Sequence, residues 1–111
     1  MIIYHISNQT EWDQARKAGS YCADSLASEG FIHCSKREQV LTVAVRFYKG
    51  LQNLLLLAIE TDLLTSPVKY ENLEGGEPLF PHIYGPLNLE AVSAAVPFPP
   101  NPDGSFDFPA G

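Results

Sequence analysis

The chain has 111 residues, of which 45% are hydrophobic and 18% are charged, and its formal net charge at pH 7 is −6. This length and apolar content predict one folded domain with a buried core rather than a disordered segment. Thirteen acidic against seven basic side chains disfavour duplex nucleic acid and an anionic membrane surface as partners. Because no apolar run is long enough to span a bilayer and no signal peptide is evident, we expect a cytoplasmic protein with reduced cysteines.

The chain is predicted to begin with a strand and a short helix. Residues 2–6 alternate in the manner of a strand, in which successive side chains point to opposite faces. One face then carries Ile3, His5 and Ser7. Thr10 is placed to cap the N-terminus of the helix, and Gly19 suits the position just after its end.

A second strand and a second helix are predicted after an irregular stretch at residues 21–30. Residues 31–34 form the strand, and the alternation places His33 on the same face as Ser35. Ser35 also opens a Ser-x-x-Glu capping box with Glu38, which predicts that the second and longer helix begins there.

The second half of the chain is predicted to consist mainly of strands. Residues 53–60 are apolar on both faces, which is typical of a strand in the middle of a sheet. A shorter strand is predicted at residues 68–71. Residues 79–84 form another strand, and because proline cannot donate to a ladder, Pro81 predicts that this strand lies at an edge or contains a bulge.

The order of these elements predicts an α+β domain over residues 1–98. Two helices in the N-terminal half precede a series of strands that ends at residues 92–98, which favours a mixed or antiparallel sheet. The proline-rich tail at residues 99–111 is expected to wrap the surface or to be loosely ordered. No βαβαβ alternation and no Gly-x-Gly-x-x-Gly occur, which disfavours a doubly wound dinucleotide-binding fold.

All three histidines of the chain lie in predicted strands. They are His5, His33 and His82. Each shares its face with a hydroxyl-bearing side chain, and these are Ser7, Ser35 and Tyr84 in turn. If the three faces line one cleft, the mixture of imidazoles, hydroxyls and aromatic rings suits a polar small molecule that carries an aromatic group. The alternative is that each imidazole is a satisfied sheet residue with no chemical role.

A metal site is not predicted. Zinc needs three or four converging ligands, whereas His33 and Cys34 point to opposite faces of a regular strand. Neither Cys-x-x-Cys nor His-Glu-x-x-His occurs in the sequence. Cys34 is instead predicted to be a core residue, since cysteine is among the most buried residue types.

Four segments resemble the DUF952 family of small bacterial and plant proteins. The resemblance spans residues 2–96, and its most distinctive parts are Glu-Gly-Phe-Ile-His-Cys-Ser at 29–35 and Phe-Pro-His-Ile-Tyr-Gly-Pro-Leu at 80–87. The remaining two are Ile-Tyr-His-Ile at 3–6 and Leu-Leu-Leu-Leu at 54–57. The family fold is similar to that of ADP-ribosyltransferases, so the resemblance implies an ADP-ribosyltransferase-like α+β fold with a split, mixed β-structure.

The resemblance also implies a ligand, because ADP-ribosyltransferases hold NAD in a cleft. Tyr4-His5-Ile6-Ser7 is similar to the first-strand motif whose histidine holds the NAD ribose, with Ile6 in place of a glycine. Ile32-His33-Cys34-Ser35 is similar to the second-strand motif that ends in serine or threonine. No late-strand acid has a clear counterpart, and Glu60 and Glu90 are the candidates.

The leading hypothesis is therefore a protein that binds a nucleotide-like ligand, with NAD as its substrate. Its ligand-binding residues would be His5, Ser7, Tyr21, His33, Ser35 and His82. Tyr84 or Tyr21 would stack on nicotinamide, and the catalytic residues would be Glu60 and Tyr84. An enzyme of this kind would transfer or hydrolyse an ADP-ribosyl group. The alternative is a non-catalytic ligand-binding or protein-interaction module with structural histidines.

Overall fold

A computed structural model describes residues 1–109. Its helices are α1 (Gln9–Ala18), α2 (Asp24–Glu29) and α3 (Val40–Phe47). Its strands are β1 (Ile2–Asn8), β2 (Ser20–Tyr21), β3 (Ile32–His33), β4 (Leu54–Glu60), β5 (Val68–Glu71), β6 (Phe80–Ile83), β7 (Leu87–Asn88) and β8 (Val92–Pro97). Short 3₁₀ turns lie at Arg37–Gln39, Thr61–Leu63 and Leu89–Ala91.

The strands form three sheets, ordered β1-β4-β8, β2-β7 and β3-β6-β5. Every pair among the described strands is antiparallel. The α+β class predicted from the sequence is therefore confirmed, and of the two arrangements predicted, mixed or antiparallel, the described strands have the antiparallel one. No helix in the described part of the chain is long and apolar enough to cross a membrane.

Strand β4 lies at the centre of the first sheet, as its two apolar faces predicted. Leu57 and Ile59 face one hydrophobic core, together with Ile3 of β1. Leu54 and Leu56 face a second core on the opposite side of the sheet. A two-sided strand is apolar throughout because neither of its faces contacts water, and that explains the Leu-Leu-Leu-Leu run.

The two helix starts predicted from the sequence are wrong by a few residues. Asn8, and not Thr10, is the N-cap of α1, and its side-chain oxygen accepts from the N–H of Glu11 at 2.8 Å. Asparagine is at least as good an N-cap as threonine, and Asn8 precedes Thr10 in the sequence. Gly19 ends the helix in the left-handed conformation, as expected.

Ser35 does not cap a helix. Its backbone instead pairs with Tyr4, with N–H to oxygen distances of 2.7 and 2.8 Å. The 3₁₀ turn begins after Lys36, whose N–H donates to the side chain of Gln39 at 2.9 Å. The predicted Ser-x-x-Glu box fails because the tertiary pairing with β1 holds Ser35 in an extended conformation.

The prediction that Pro81 marks an edge strand is also wrong, since β6 lies between β3 and β5. The Pro81 carbonyl accepts from the N–H of Cys34 at 3.0 Å. Proline has no N–H to return that bond, and strand β3 ends at His33, one residue before Cys34. A central strand tolerates the proline here because its neighbour stops at this position.

The proline-rich tail after residue 98 packs on the second core. Phe106 is buried and stacks on the buried Phe98, with ring centroids 5.0 Å apart. Phe108 meets the ring of Tyr4 edge-on at 5.2 Å and lies under the guanidinium of Arg37. Residues 110 and 111 of the tail lie outside the described residues.

Candidate functional site

The structure divides the predicted site residues into a buried group and a surface group, and the surface group reaches solvent mainly through His33, since His82 is itself buried. The buried group consists of His5, Tyr21 and Ser7, and the surface group of His33, His82 and Tyr84. His33 joins the two, because its backbone carbonyl contacts the ring of His5 and its own ring contacts His82. Within residues 1–109 the three histidines therefore do not line one cleft, because the ring of His5 is buried.

The buried group is a hydrogen-bonded chain beneath strand β3. His5 Nδ1 lies 2.5 Å from the carbonyl oxygen of His33, and His5 Nε2 lies 2.9 Å from the hydroxyl of Tyr21. That hydroxyl lies 3.0 Å from the hydroxyl of Ser7. Tyr21 is 1% exposed and His5 is 6% exposed. Every polar atom in this chain therefore depends on a protein partner rather than on water.

The charge state of His5 decides which groups donate and which accept in this series of hydrogen bonds. A carbonyl only accepts, so His5 Nδ1 carries the hydrogen and Nε2 accepts from Tyr21 when the ring is neutral. Burial lowers the pKa of His5 from 6.5 to about 4, and burial likewise raises the pKa of Tyr21. Both groups are therefore uncharged at neutral pH, as a site without water requires.

The surface group is built on the third sheet, where β3 and β6 pair His33 with His82. Phe31 stacks on the His82 ring, with centroids 4.3 Å apart and an interplanar angle of 26°. It also contacts the rings of His33 and Tyr84, at 4.8 and 5.3 Å. The four rings form one continuous aromatic cluster. Phe31 and His82 are buried in it, whereas half of the His33 side chain is exposed.

Glu71 of β5 completes this cluster and was not predicted as a site residue. His82 Nδ1 lies 3.0 Å from Glu71 Oε1, and the Tyr84 hydroxyl donates to the same oxygen. The hydroxyl of Tyr84 and then the ring of His82 lower the pKa of Glu71. The same contact raises the pKa of Tyr84. Glu71 is therefore an ionised acceptor that two aromatic donors share.

Two further charged side chains flank the cluster. His33 Nε2 lies 2.9 Å from the carboxylate of Glu29, at the end of α2. The ammonium of Lys69, which is paired directly with His82 across the strands, lies 4.9 Å from the centroid of the Tyr84 ring. The sequence did contain a signal for Lys69 and Glu71. Both lie on one face of the predicted strand 68–71, and pairing of that strand with residues 79–84 brings them to His82.

The remaining predicted residues lie elsewhere. Glu60 accepts from the amino terminus of Met1 at 2.8 Å, and that contact lowers the pKa of Glu60. Glu90 lies in the 3₁₀ turn before β8. Ser35 is buried where β3 meets β1. Neither Glu60 nor Ser35 forms a side-chain hydrogen bond with a histidine in the described part of the chain.

An open groove of about 690 Å³ lies on another part of the surface, between α1 and the loop before β4. None of the predicted site residues lines it, and its walls include Glu11, Gln14, Cys22 and Asn53. The two cysteines are not paired. Cys22 is exposed, whereas Cys34 is buried, as predicted, and burial raises the pKa of its thiol. No three His, Cys, Asp or Glu side chains of residues 1–109 are grouped in a way that could hold a metal ion.

Comparison with known proteins establishes the family. Residues 6–95 match the family described as a protein of unknown function, DUF952. The chain belongs to the DUF952 family. The matched range includes β3, β5 and β6, which carry the aromatic cluster.

Solved structures of protein CC0527 from Caulobacter crescentus are similar to this chain. The crystal structure has 34% sequence identity and a TM-score of 0.86, over 96% of this chain and 94% of that chain. The solution NMR structure has 35% identity and a TM-score of 0.81, over 94% and 90% of the two chains. No curated protein matches the chain at a significant level. The ADP-ribosyltransferase-like fold and the NAD ligand therefore stay predictions.

Proposed function

We propose that the aromatic cluster of the third sheet binds a small nucleotide-like ligand, with NAD as the substrate. The observation that carries this proposal is the contact of four rings, from Phe31, His33, His82 and Tyr84, in a cluster where half of the His33 side chain is exposed. Aromatic rings with a few convergent polar groups are typical of small-molecule sites. A planar base or a pyridine ring stacks on such a surface.

The polar groups around the cluster suit the rest of a nucleotide. A ribose presents hydroxyl groups, and the carboxylate of Glu71 and the imidazole of His33 supply acceptors for them. Two carboxylates, of Glu71 and Glu29, lie beside the cluster against one ammonium, of Lys69. This balance favours the cationic nicotinamide end of NAD over its pyrophosphate.

The buried group supports this site from behind. His5 Nδ1 donates to the carbonyl of His33, and β1 is tied to the residue after β3 through Tyr4 and Ser35. In the proposed function, His5, Ser7 and Tyr21 fix the backbone that carries His33 and do not contact the ligand. His33, His82 and Tyr84 are then the ligand-contacting members of the predicted set.

The reaction proposed for this site is hydrolysis of NAD or transfer of its ADP-ribosyl group. Glu60 is a weaker candidate for the acid, because the amino terminus of Met1 already occupies its carboxylate. Binding without catalysis is the second candidate function. This second function is favoured by the same contact between Met1 and Glu60, because no other predicted acid then lies beside the cluster.

NMR of the histidine ring signals tests whether NAD binds at this site. NAD is added to the labelled chain up to millimolar concentration, and the ring signals of the three histidines are followed. We expect shifts at His33 and His82 and none at His5, which serves as an internal reference for a ring out of contact with the ligand. The variant His33→Asn should weaken NAD binding. Absence of any shift at His33 and His82 would rule out the proposed site.

A further inference from the structure

Glu71 and His82 are arranged as a carboxylate-oriented imidazole. Strand pairing sets Lys69 opposite His82 and Glu71 two residues further along β5, on the same face, so the carboxylate reaches the ring diagonally. The distance from His82 Nδ1 to Glu71 Oε1 is 3.0 Å. Because an ionised carboxylate only accepts, Nδ1 carries the hydrogen and Nε2 presents a lone pair.

The Nε2 atom of His82 is free although the ring is almost buried. No side chain or backbone group of residues 1–109 bonds to it, and no buried side-chain nitrogen or oxygen there lacks a hydrogen-bond partner. Nε2 therefore reaches solvent, while His82 as a whole residue is 5% exposed. The buried part is packed between Phe31 and His33.

Three contacts thus fix the ring and leave one reactive atom. Phe31 covers a face of the imidazole, and Glu71 holds Nδ1. Tyr84 donates to the same carboxylate oxygen, which keeps Glu71 ionised and in place. A carboxylate that orients one nitrogen of a histidine, so that the other acts on a substrate, is the arrangement of a general base.

We propose that Glu71 and His82 form the catalytic base of this site and remove a proton from the water that attacks the ribosyl carbon. The inference deepens the proposed function and rests on it. Glu71 is a positioning residue in this scheme, because it acts through His82 and does not contact the reacting atoms.

The step balances with one base and no acid. His82 Nε2 takes a proton from water, and the water oxygen forms a bond to the ribosyl carbon that carries nicotinamide. The bond from that carbon to the pyridinium nitrogen breaks, and its electron pair stays on the nitrogen. Neutral nicotinamide leaves without protonation, ADP-ribose remains, and His82 later loses the proton to solvent.

The test compares the wild type with Glu71→Gln, His82→Asn and the control Glu74→Gln, which changes an exposed acid in the loop before β6. Three quantities are measured: NAD-induced shifts at His33, release of nicotinamide across pH, and the protonated nitrogen of His82 by ¹⁵N NMR. We expect Glu71→Gln and His82→Asn to slow release by about 100-fold, with NAD still shifting His33. Wild-type release should fall at low pH with the slope of a single group.

Three outcomes would overturn the catalytic base. They are release by Glu71→Gln within about twofold of the wild type, binding of NAD without release of nicotinamide, and a His82 ring protonated at Nε2. If NAD shifts no ring, the proposed function fails separately. In that case diethyl pyrocarbonate, which modifies unprotonated imidazoles, tests separately whether Glu71 makes His82 a base. Slower modification of His82 in Glu71→Gln supports it, and equal rates reject it.

Discussion

His5 and His82 are both nearly buried histidines in antiparallel strands, and they differ in what their second nitrogen meets. Each has a partner at Nδ1, the carbonyl of His33 for His5 and the carboxylate of Glu71 for His82. Nε2 of His5 is closed off by Tyr21, whereas Nε2 of His82 reaches solvent. Burial alone therefore does not distinguish a histidine with a structural role from one that is proposed to act on a ligand. The surroundings of Nε2 distinguish the two.

The partner at Nδ1 also differs in charge. A carbonyl gives the His5 ring little compensation for burial, so its pKa falls to about 4. The partner of His82 is instead the ionised carboxylate of Glu71, which accepts the Nδ1 hydrogen. The buried group should thus govern stability and the surface group should govern ligand chemistry, and the following changes test that division.

The largest effect is expected from removing the ring of Tyr21. Tyr21→Ala empties a fully buried site next to His5 and should lower the free energy of unfolding by about 3–5 kcal/mol. Tyr84→Ala, at the half-buried surface group, should lower it by less than about 1 kcal/mol. Urea unfolding of both variants measures the difference. Equal losses would show that the two groups are not distinct in stability.

The second prediction concerns pH. His5 stays neutral in the folded chain down to about pH 4 and titrates near 6.5 when unfolded. The unfolded state therefore binds more protons between these values, and stability falls as the pH is lowered through this window. The full loss from His5 is roughly 3 kcal/mol, reached below pH 4.

Urea unfolding between pH 4 and 7 measures this effect as a difference between variants. His5→Asn should remove the part of the pH dependence that arises from His5. His33→Asn removes a half-exposed ring and leaves His5 in place, so it should keep the part of the pH dependence that arises from His5. The interpretation would be wrong if both variants followed the wild-type curve.

The third prediction concerns the Tyr21 hydroxyl alone. Tyr21→Phe leaves Nε2 of the buried His5 without a partner, which should cost about 1–3 kcal/mol. Ser7→Ala is the matched control, because Tyr21 keeps its bond to His5 and the loss should be under about 1 kcal/mol. If Ser7→Ala were the more damaging change, the proton order in the chain would run the other way.

Sequence patterns predicted the strands better than the contacts between them. Strands β4 and β5 lie within one residue of their predicted positions, because a strand pattern is a local property of the sequence. Ser35 and Pro81 were misread since long-range pairing with Tyr4 and Cys34 overrides the local signals of a cap and a breaker. Glu71 was missed for the same reason, because its place beside His82 depends on which strands pair.

The smallest effect is expected from the Tyr84 hydroxyl. Tyr84→Phe removes one of two donors to Glu71, but the carboxylate keeps its bond to His82 and gains water at an open surface. The free energy of unfolding should change by no more than about 0.5 kcal/mol. The ¹⁵N spectrum should still show the hydrogen of His82 on Nδ1, since Glu71 holds it there. A loss as large as that of Tyr21→Phe would mean that Glu71 depends on Tyr84 as strictly as His5 depends on Tyr21, and the contrast between the two groups would then rest on the exposure of Nε2 alone.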